Sequence, residues 1–347
     1  MLTFFNLAHS LHAAPYEYFR GGQVPAFEKP ERAEGVAEHL RQRGHVMRNA
    51  DADAIEVMHQ VHTQRYLKFL ATAWQQWTAL DPGNAELVPF PSVWPVRTLR
   101  DDVEPDNFTA KLGLYSMDNG APILAGTWAA VKGGADAAHC AALAVARRDA
   151  PAAFALTRPP GHHAGADFLG GYCFVNNAAV AAQTLLNQGA KRVAILDVDY
   201  HHGNGTQSIF YKRADVLFIS IHGDPRTEYP FYLGHADETG QGAGAGFNFN
   251  LPLPPGSSVA TWFAALEVAL ARIKAYSPDA LVVSLGLDTF ADDPISKFAL
   301  QPDDFSDLGR RLAEVGLPCV FAFEGGYACE QLASNTVNVL EGFESTS

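Results

Sequence analysis

The spacing of short, almost wholly apolar runs in the second half of the chain constrains the fold more than any other feature. Runs at 152–156, 193–198, 216–221, 280–285 and 319–323 are built mostly from Ala, Val, Ile, Leu and Phe and are bounded mostly by Gly, Pro or charged residues. A strand with one wet face alternates apolar and polar residues. Runs without that alternation predict strands buried on both faces, as in a parallel sheet covered by helices. The intervening segments 177–187, 259–276, 302–315 and 330–343 carry apolar residues at helical spacing. The pattern predicts an α/β protein with a central parallel sheet flanked by helices.

The first 150 residues are less regular. Residues 2–5 read as an edge strand, 30–43 and 65–80 as helices, and 128–147 as an Ala-rich helix, with a Pro-rich stretch over 81–122. No internal repeat or linker divides the 347 residues, so a single domain is expected over 1–347. The formal net charge of −13 disfavours nucleic acid and anionic membranes as partners and favours cationic substrates. Cys140, Cys173, Cys319 and Cys329 form no CxxC pair, which suits free thiols in a reducing compartment. The apolar start is interrupted by Asn6, His9, Ser10 and His12 and has no basic leader, and no segment approaches the ~20 apolar residues that span a bilayer. These features predict a cytoplasmic protein.

In open parallel sheets the ligand site lies beyond the carboxyl ends of the strands. Polar residues follow five runs at that end: Arg158 to His163 after the first, Asp197 to His202 at the second, Ser220 and His222 at the third, Asp288 after the fourth, and Glu324 to Tyr327 after the fifth. Asp197, Asp199 and His201 alternate, so they share a side, and Asp199 with His201 can bind one cation. Asp288 supplies a third ligand, leaving the open position that a catalytic metal keeps for water. Any one of these carboxylates alone would read as a cap or turn residue. Gly203 and Gly286 stand where bridging carboxylates of a two-metal site would be needed, so the site is read as mononuclear.

His162 and His163 follow two prolines and a glycine, in a turn suited to acid–base work. Tyr327, on a Gly-Gly turn, can donate to an oxyanion. The glycines between Gly240 and Gly246 lack the strand and helix of a dinucleotide fingerprint and read as a tightly turning loop.

Together the motifs Arg158–Ala164, Gly170–Ala178, Leu196–Gln207, His222–Pro225, Ser284–Phe290 and Glu324–Tyr327 resemble the histone deacetylase superfamily, and within it the bacterial acetylpolyamine amidohydrolase branch. The resemblance runs nearly end to end. It implies an arginase-deacetylase fold and a zinc-dependent amidohydrolase that removes an acetyl group from acetylated polyamines or diamines by metal-activated water. The alternative is a broader histone deacetylase-like protein or small-molecule deacylase. One catalytic zinc ion is expected on Asp199, His201 and Asp288, with His163 as general base and acid, His162 its companion oriented by Asp197, and Tyr327 the oxyanion donor. Asn204 stands where some relatives place an aspartate, which implies a less basic His163.

A structural potassium ion is implied around Asp197, Asp199, His201, Ser220 and Ile221, and a second around Phe210, Arg213 and Val216. Tyr172 is expected to line the acyl channel. A homodimer is also implied, with early insertions over 15–28 and 80–120 shaping the mouth. Thr109 and Gly120 occupy the positions of acidic gate residues, so Glu17, Asp106 and Asp118 are the candidates for holding a cationic amine.

Overall fold

In the computed structural model, which describes residues 1–19, 22–96 and 99–346, the five apolar runs form the middle of one sheet. Its strands are β1 (Leu2–Phe5), β4 (Val46–Asn49), β5 (Ala152–Leu156), β6 (Val193–Asp197), β7 (Val216–Gly223), β8 (Asn248–Leu253), β9 (Ala280–Leu285) and β10 (Cys319–Phe323). They run in the order β4-β1-β5-β10-β9-β6-β7-β8, and every neighbouring pair is parallel. The strand expected at an edge, β1, is therefore interior: Leu2 pairs with Val46 on one side and Ala153 on the other.

Two-residue periodicity splits the core into two layers. Along β5, Ala153 and Ala155 join one cluster, whereas Ala152, Phe154 and Leu156 join the other. The first layer packs under α2 (Ile55–Val61), α3 (Gln64–Leu80), α5 (Thr127–Ala146) and α6 (Asn177–Asn187). The second lies under α1 (Glu31–Gln42), α8 (Val259–Tyr276), α9 (Pro302–Ala313) and α10 (Cys329–Glu344). Side-chain caps fix several helix starts: the Thr63 hydroxyl accepts from the Tyr66 amide, Asn176 from Ala179 and Ser258 from Thr261. The short helix α7 (Asn204–Phe210) follows β6 directly.

The early segments are not wholly loop. Residues Glu17–Phe19 (β2) and Gly22–Val24 (β3) pair as an antiparallel ribbon, and α4 (Phe108–Leu114) closes the Pro-rich stretch, with the Asn107 side chain as its cap. Arg20, Gly21, Arg97 and Thr98 within these segments, and Ser347, lie outside the described residues. The glycine-rich segment is a tight turn, with one 3-10 turn at Gly242–Gly244 and left-handed backbone at Gly240, Gly242 and Gly246.

A buried ion cluster joins the first early segment to the sheet. Glu28 accepts from Arg32 Nη1 at 3.0 Å and from Arg158 Nη2 at 3.0 Å, and its Oε1 is in ion-pair contact with Arg158 Nε at 2.8 Å. All three side chains are buried, so each charge depends on the others. Glu28→Ala leaves two guanidinium groups without their carboxylate and is expected to cost about 3–5 kcal/mol. Urea unfolding monitored by circular dichroism checks this, and an unchanged midpoint would refute it.

Candidate active site

The turn after β5 is held by atoms from three directions. The amides of Gly161 and His162 donate to Glu324 Oε2 at 2.6 and 3.2 Å. A Cβ on Gly161 would lie 2.5 Å from the Asn177 amide nitrogen, so only glycine lets the turn sit this deep. The two imidazoles that follow have centroids 4.0 Å apart but different partners: His162 Nδ1 bonds Asp197 Oδ2 at 2.9 Å, and His163 Nδ1 bonds Asn204 Oδ1 at 2.7 Å. Because an amide oxygen only accepts, His163 carries its proton on Nδ1, which leaves Nε2 as the basic nitrogen.

Those partners drive the rings apart electrostatically. Burial lowers both, but the carboxylates of Asp199 and Asp197 overcome it at His162 and raise that imidazole well above its usual value. At His163 no anion sits behind the ring. Burial and the positive charges of His162 and His201 keep it well below.

Strand β6 ends at Asp197, and the turn beyond it brings Asp199 and His201 to Asp288 from the end of β9. One ligand atom from each of the three lies within 4.8 Å of the others. His201 Nδ1 is 3.3 Å from Asp199 Oδ1 and 3.0 Å from Asp288 Oδ2. Backbone amides orient the carboxylates: Gly325 donates to Asp199 Oδ2 at 2.9 Å, and Tyr200 donates to Asp288 Oδ1 at 2.8 Å. Glycine makes room for them, since a Cβ on Gly286 would meet Asp199 Oδ2 at 2.1 Å and one on Gly325 would meet it at 2.5 Å.

Burial lowers His201, yet the two carboxylates push it up to about 10. Burial and the Asp199 charge raise Asp288 to about 7. Two carboxylates and an imidazole converging in a buried cradle fit a divalent cation, which would answer the charge otherwise answered by a proton on His201. His162, Cys173 and Glu324 also converge, but burial holds the Cys173 thiol well above its usual value, leaving a poor ligand.

Tyr327 stands half-buried beside this cluster. Its amide donates to Asp293 Oδ2 at 2.7 Å, and the Arg32 guanidinium lies 4.7 Å from its ring centroid. Arg32 also donates to the carbonyls of Gly326 and Glu324 at 2.6 and 2.5 Å. Burial raises the phenol well above its usual value despite Arg32, so it remains a donor. Arg32, Asp293 and Glu324 carried no role in the sequence reading. Arg32 falls on the stripe of Val36 and Leu40 in α1, and a cation on an apolar stripe is the signal that could have found it.

The expected mouth residues have other duties. Glu17 is buried, accepting from the Tyr172 hydroxyl at 2.7 Å and the Phe27 amide at 3.0 Å. The Tyr172 ring lies 5.6 Å from that of Tyr327. Asp118 accepts from the amides of Gly171 and Gly120 and from the hydroxyl of Tyr229, a residue absent from the sequence reading. Asp106 is exposed. Thr109 bonds Ser92 and Asn107, pinning the Pro-rich stretch to α4.

Asp197 and Ser220 are in register on adjacent strands, with Ile221 next in β7. The Ser220 hydroxyl is taken by His222 Nδ1 at 2.8 Å. The Phe210 carbonyl accepts from the Arg213 amide just before Val216 opens β7, and the Arg213 guanidinium binds Asp215.

The model of the histone deacetylase domain matches residues 26–343. Acetylpolyamine amidohydrolase 2 of Pseudomonas aeruginosa is 52% identical over 345 residues, covering 99% of each chain. The acetylpolyamine amidohydrolase of Mycoplana ramosa is 46% identical over 345 residues, again covering 99% of each. The crystal structure of an acetylpolyamine aminohydrolase from Burkholderia pseudomallei superposes with a TM-score of 0.94 at 40% identity, covering 100% of this chain and 99% of that one. Members of this family are metal-dependent hydrolytic deacetylases, typically of zinc, and both the fold and the site geometry agree with that chemistry. The chain belongs to the histone deacetylase family, in its bacterial acetylpolyamine amidohydrolase branch.

Proposed function

We propose that the protein hydrolyses the acetamide of acetylated polyamines or diamines with one zinc ion on Asp199, His201 and Asp288. The observation that carries this reading is the convergence of those three side chains between a low-pKa imidazole at His163 and a neutral phenol at Tyr327. When bound, zinc supplies Lewis acidity toward a carbonyl oxygen and a water molecule. His163 Nε2, kept neutral by its surroundings, takes a proton from the attacking water and returns it to the leaving amine. Tyr327 donates from its hydroxyl to the oxygen on which charge develops. His162, held protonated over Asp197, contributes fixed positive charge.

Potassium is proposed at the carbonyls of Asp197, Asp199, His201, Ser220 and Ile221, where two adjacent strand ends offer oxygen donors to a hard cation. A second is proposed at Phe210, Arg213 and Val216. The segments 15–28 and 80–120 shape the mouth, and their exposed Tyr18, Phe90, Val93 and Val96 give a second copy of the chain an apolar surface to cover in a homodimer.

The names of the relatives and the tyrosine-lined site support a slender acetylated amine. One observation favours the broader deacylase: Glu17 and Asp118 are already hydrogen-bonded, so neither is a free carboxylate for an amine. Measured kcat/KM for monoacetylated putrescine, cadaverine and spermidine is expected to exceed that for an acetyl-lysine peptide and to fall with added salt. A preference for the peptide would replace the polyamine reading.

Asp288→Ala should abolish both stoichiometric zinc and turnover. Tyr327→Phe should keep zinc while lowering kcat by ~10² to 10³. Metal analysis beside steady-state kinetics checks both, and full zinc in the Asp288 variant would sink the ligand assignment.

Asn204→Asp should raise the pKa of His163 by placing an anion behind Nδ1. A general base works when neutral, so the acidic limb of the kcat/KM profile should move to higher pH, by roughly one unit or more. An unmoved limb would remove His163 from the base role.

A further inference from the structure

The wall residue that sequence reading missed, Tyr229, makes a contact that an aromatic wall alone does not need. Its ring stands perpendicular to His163 at 4.9 Å between centroids and lies 6.1 Å from His201, so it borders the reacting centre. Its hydroxyl donates to Asp118 Oδ2 at 2.6 Å. The same carboxylate accepts from the Gly171 amide at 3.1 and 3.3 Å, one residue before Tyr172, the other aromatic at the site. Two loops far apart in sequence are thus tied to one anion.

That anion is itself anchored. Asp118 Oδ1 accepts the Gly120 amide at 2.9 Å, closing a turn on its own segment. The Met117 amide donates to the Leu169 carbonyl at 2.8 Å, and the Asn204 side-chain Nδ2 donates to Met117 Sδ at 3.2 Å. Gly171 has left-handed backbone, at φ +53°, and a Cβ there would meet His163 Cδ2 at 2.4 Å and the Tyr229 hydroxyl at 2.9 Å. Imidazole, phenol and glycine are therefore in mutual contact. Burial raises the Tyr229 phenol, and the neighbouring carboxylate adds to the effect, so the hydroxyl stays a donor.

We propose that the Tyr229–Asp118 hydrogen bond is a latch that sets the width of the acyl channel, making Tyr229 and Asp118 specificity-determining residues that admit acetyl and exclude longer acyl groups. The inference rests on the deacetylase reading above. It gives Asp118 a structural duty at the channel wall in place of attraction for an amine.

Tyr229→Phe keeps the ring and removes only the hydroxyl, and Asp118→Ala removes the acceptor. Each is expected to lower the ratio of kcat/KM for acetyl over butanoyl derivatives of one diamine by about tenfold, within the range that one or two methylenes contribute in a fitted pocket. The double variant should lose no more than either single one, because both remove the same bond. A ratio unchanged in Tyr229→Phe, or losses that multiply in the double variant, would overturn the latch. So would a higher KM and lost salt dependence for cationic amines in Asp118→Ala but not in Tyr229→Phe, since that marks an amine-attracting charge.

Hydrogen exchange of the peptide containing Gly171 reads the latch without turnover: it should quicken in both variants, and unchanged protection would refute it. Failure of the parent protein to hydrolyse any acylated amine would reject the deacetylase reading, while the exchange measurement would still decide the latch.

Discussion

Asp199 and Asp288 are both fully buried, and one imidazole, that of His201, touches both. Charge so far from water is costly unless it is answered at close range. Asp197 and Glu324 add two more buried carboxyls within the same few strand ends. Asp197 is answered by His162, Asp199 by the Gly325 amide and Asp288 by the Tyr200 amide, while Glu324 is held at Oε2 by the amides of Gly161 and His162 and burial raises its carboxyl to about 8. Those bonds fix the turns after β5, β6, β9 and β10 against one another. Where the acids crowd the backbone the residue is glycine, and at Gly203 a Cβ would lie 2.1 Å from Asp197 Oδ2.

The sheet order explains why these turns meet. The last two strands, β9 and β10, insert between β5 and β6, so segments near 160, 200, 288 and 325 become neighbours. Apolar runs revealed the strands, and polar residues at their ends revealed the site, because both signals are local. The order is not local. Neither was the place of β1, whose four residues cannot report that β4 covers its outer side. Edge strand β8 escaped for a different reason: its Asn248 and Asn250 are buried against Gln207 and Glu238, so polar side chains occupy the inward positions.

The adjacent histidines show how little residue type decides. Their rings nearly touch, yet one is raised and the other lowered, because a carboxylate stands behind His162 and an amide behind His163. Asn204 was visible in the sequence, and its effect on His163 follows from chemistry alone. The orientation of Tyr327 was not visible, since it depends on Arg32, nearly three hundred residues away.

Most of the early carboxylates also hold groups from later in the chain, at separations from 53 to 155 residues. Glu28 secures Arg32 and Arg158, Glu17 secures Tyr172, and Asp118 secures Tyr229 and Gly171. Asp102 and Glu104, also in the early part, are paired with Arg100 and Lys111. Two of the three carboxylates expected to hold a cationic amine, Glu17 and Asp118, accept hydrogen bonds from the chain itself. The net charge of −13 still sets the long-range field that a cationic amine meets. At close range Glu17 and Asp118 offer that amine no free carboxylate, because each already holds a tyrosine hydroxyl, that of Tyr172 and that of Tyr229.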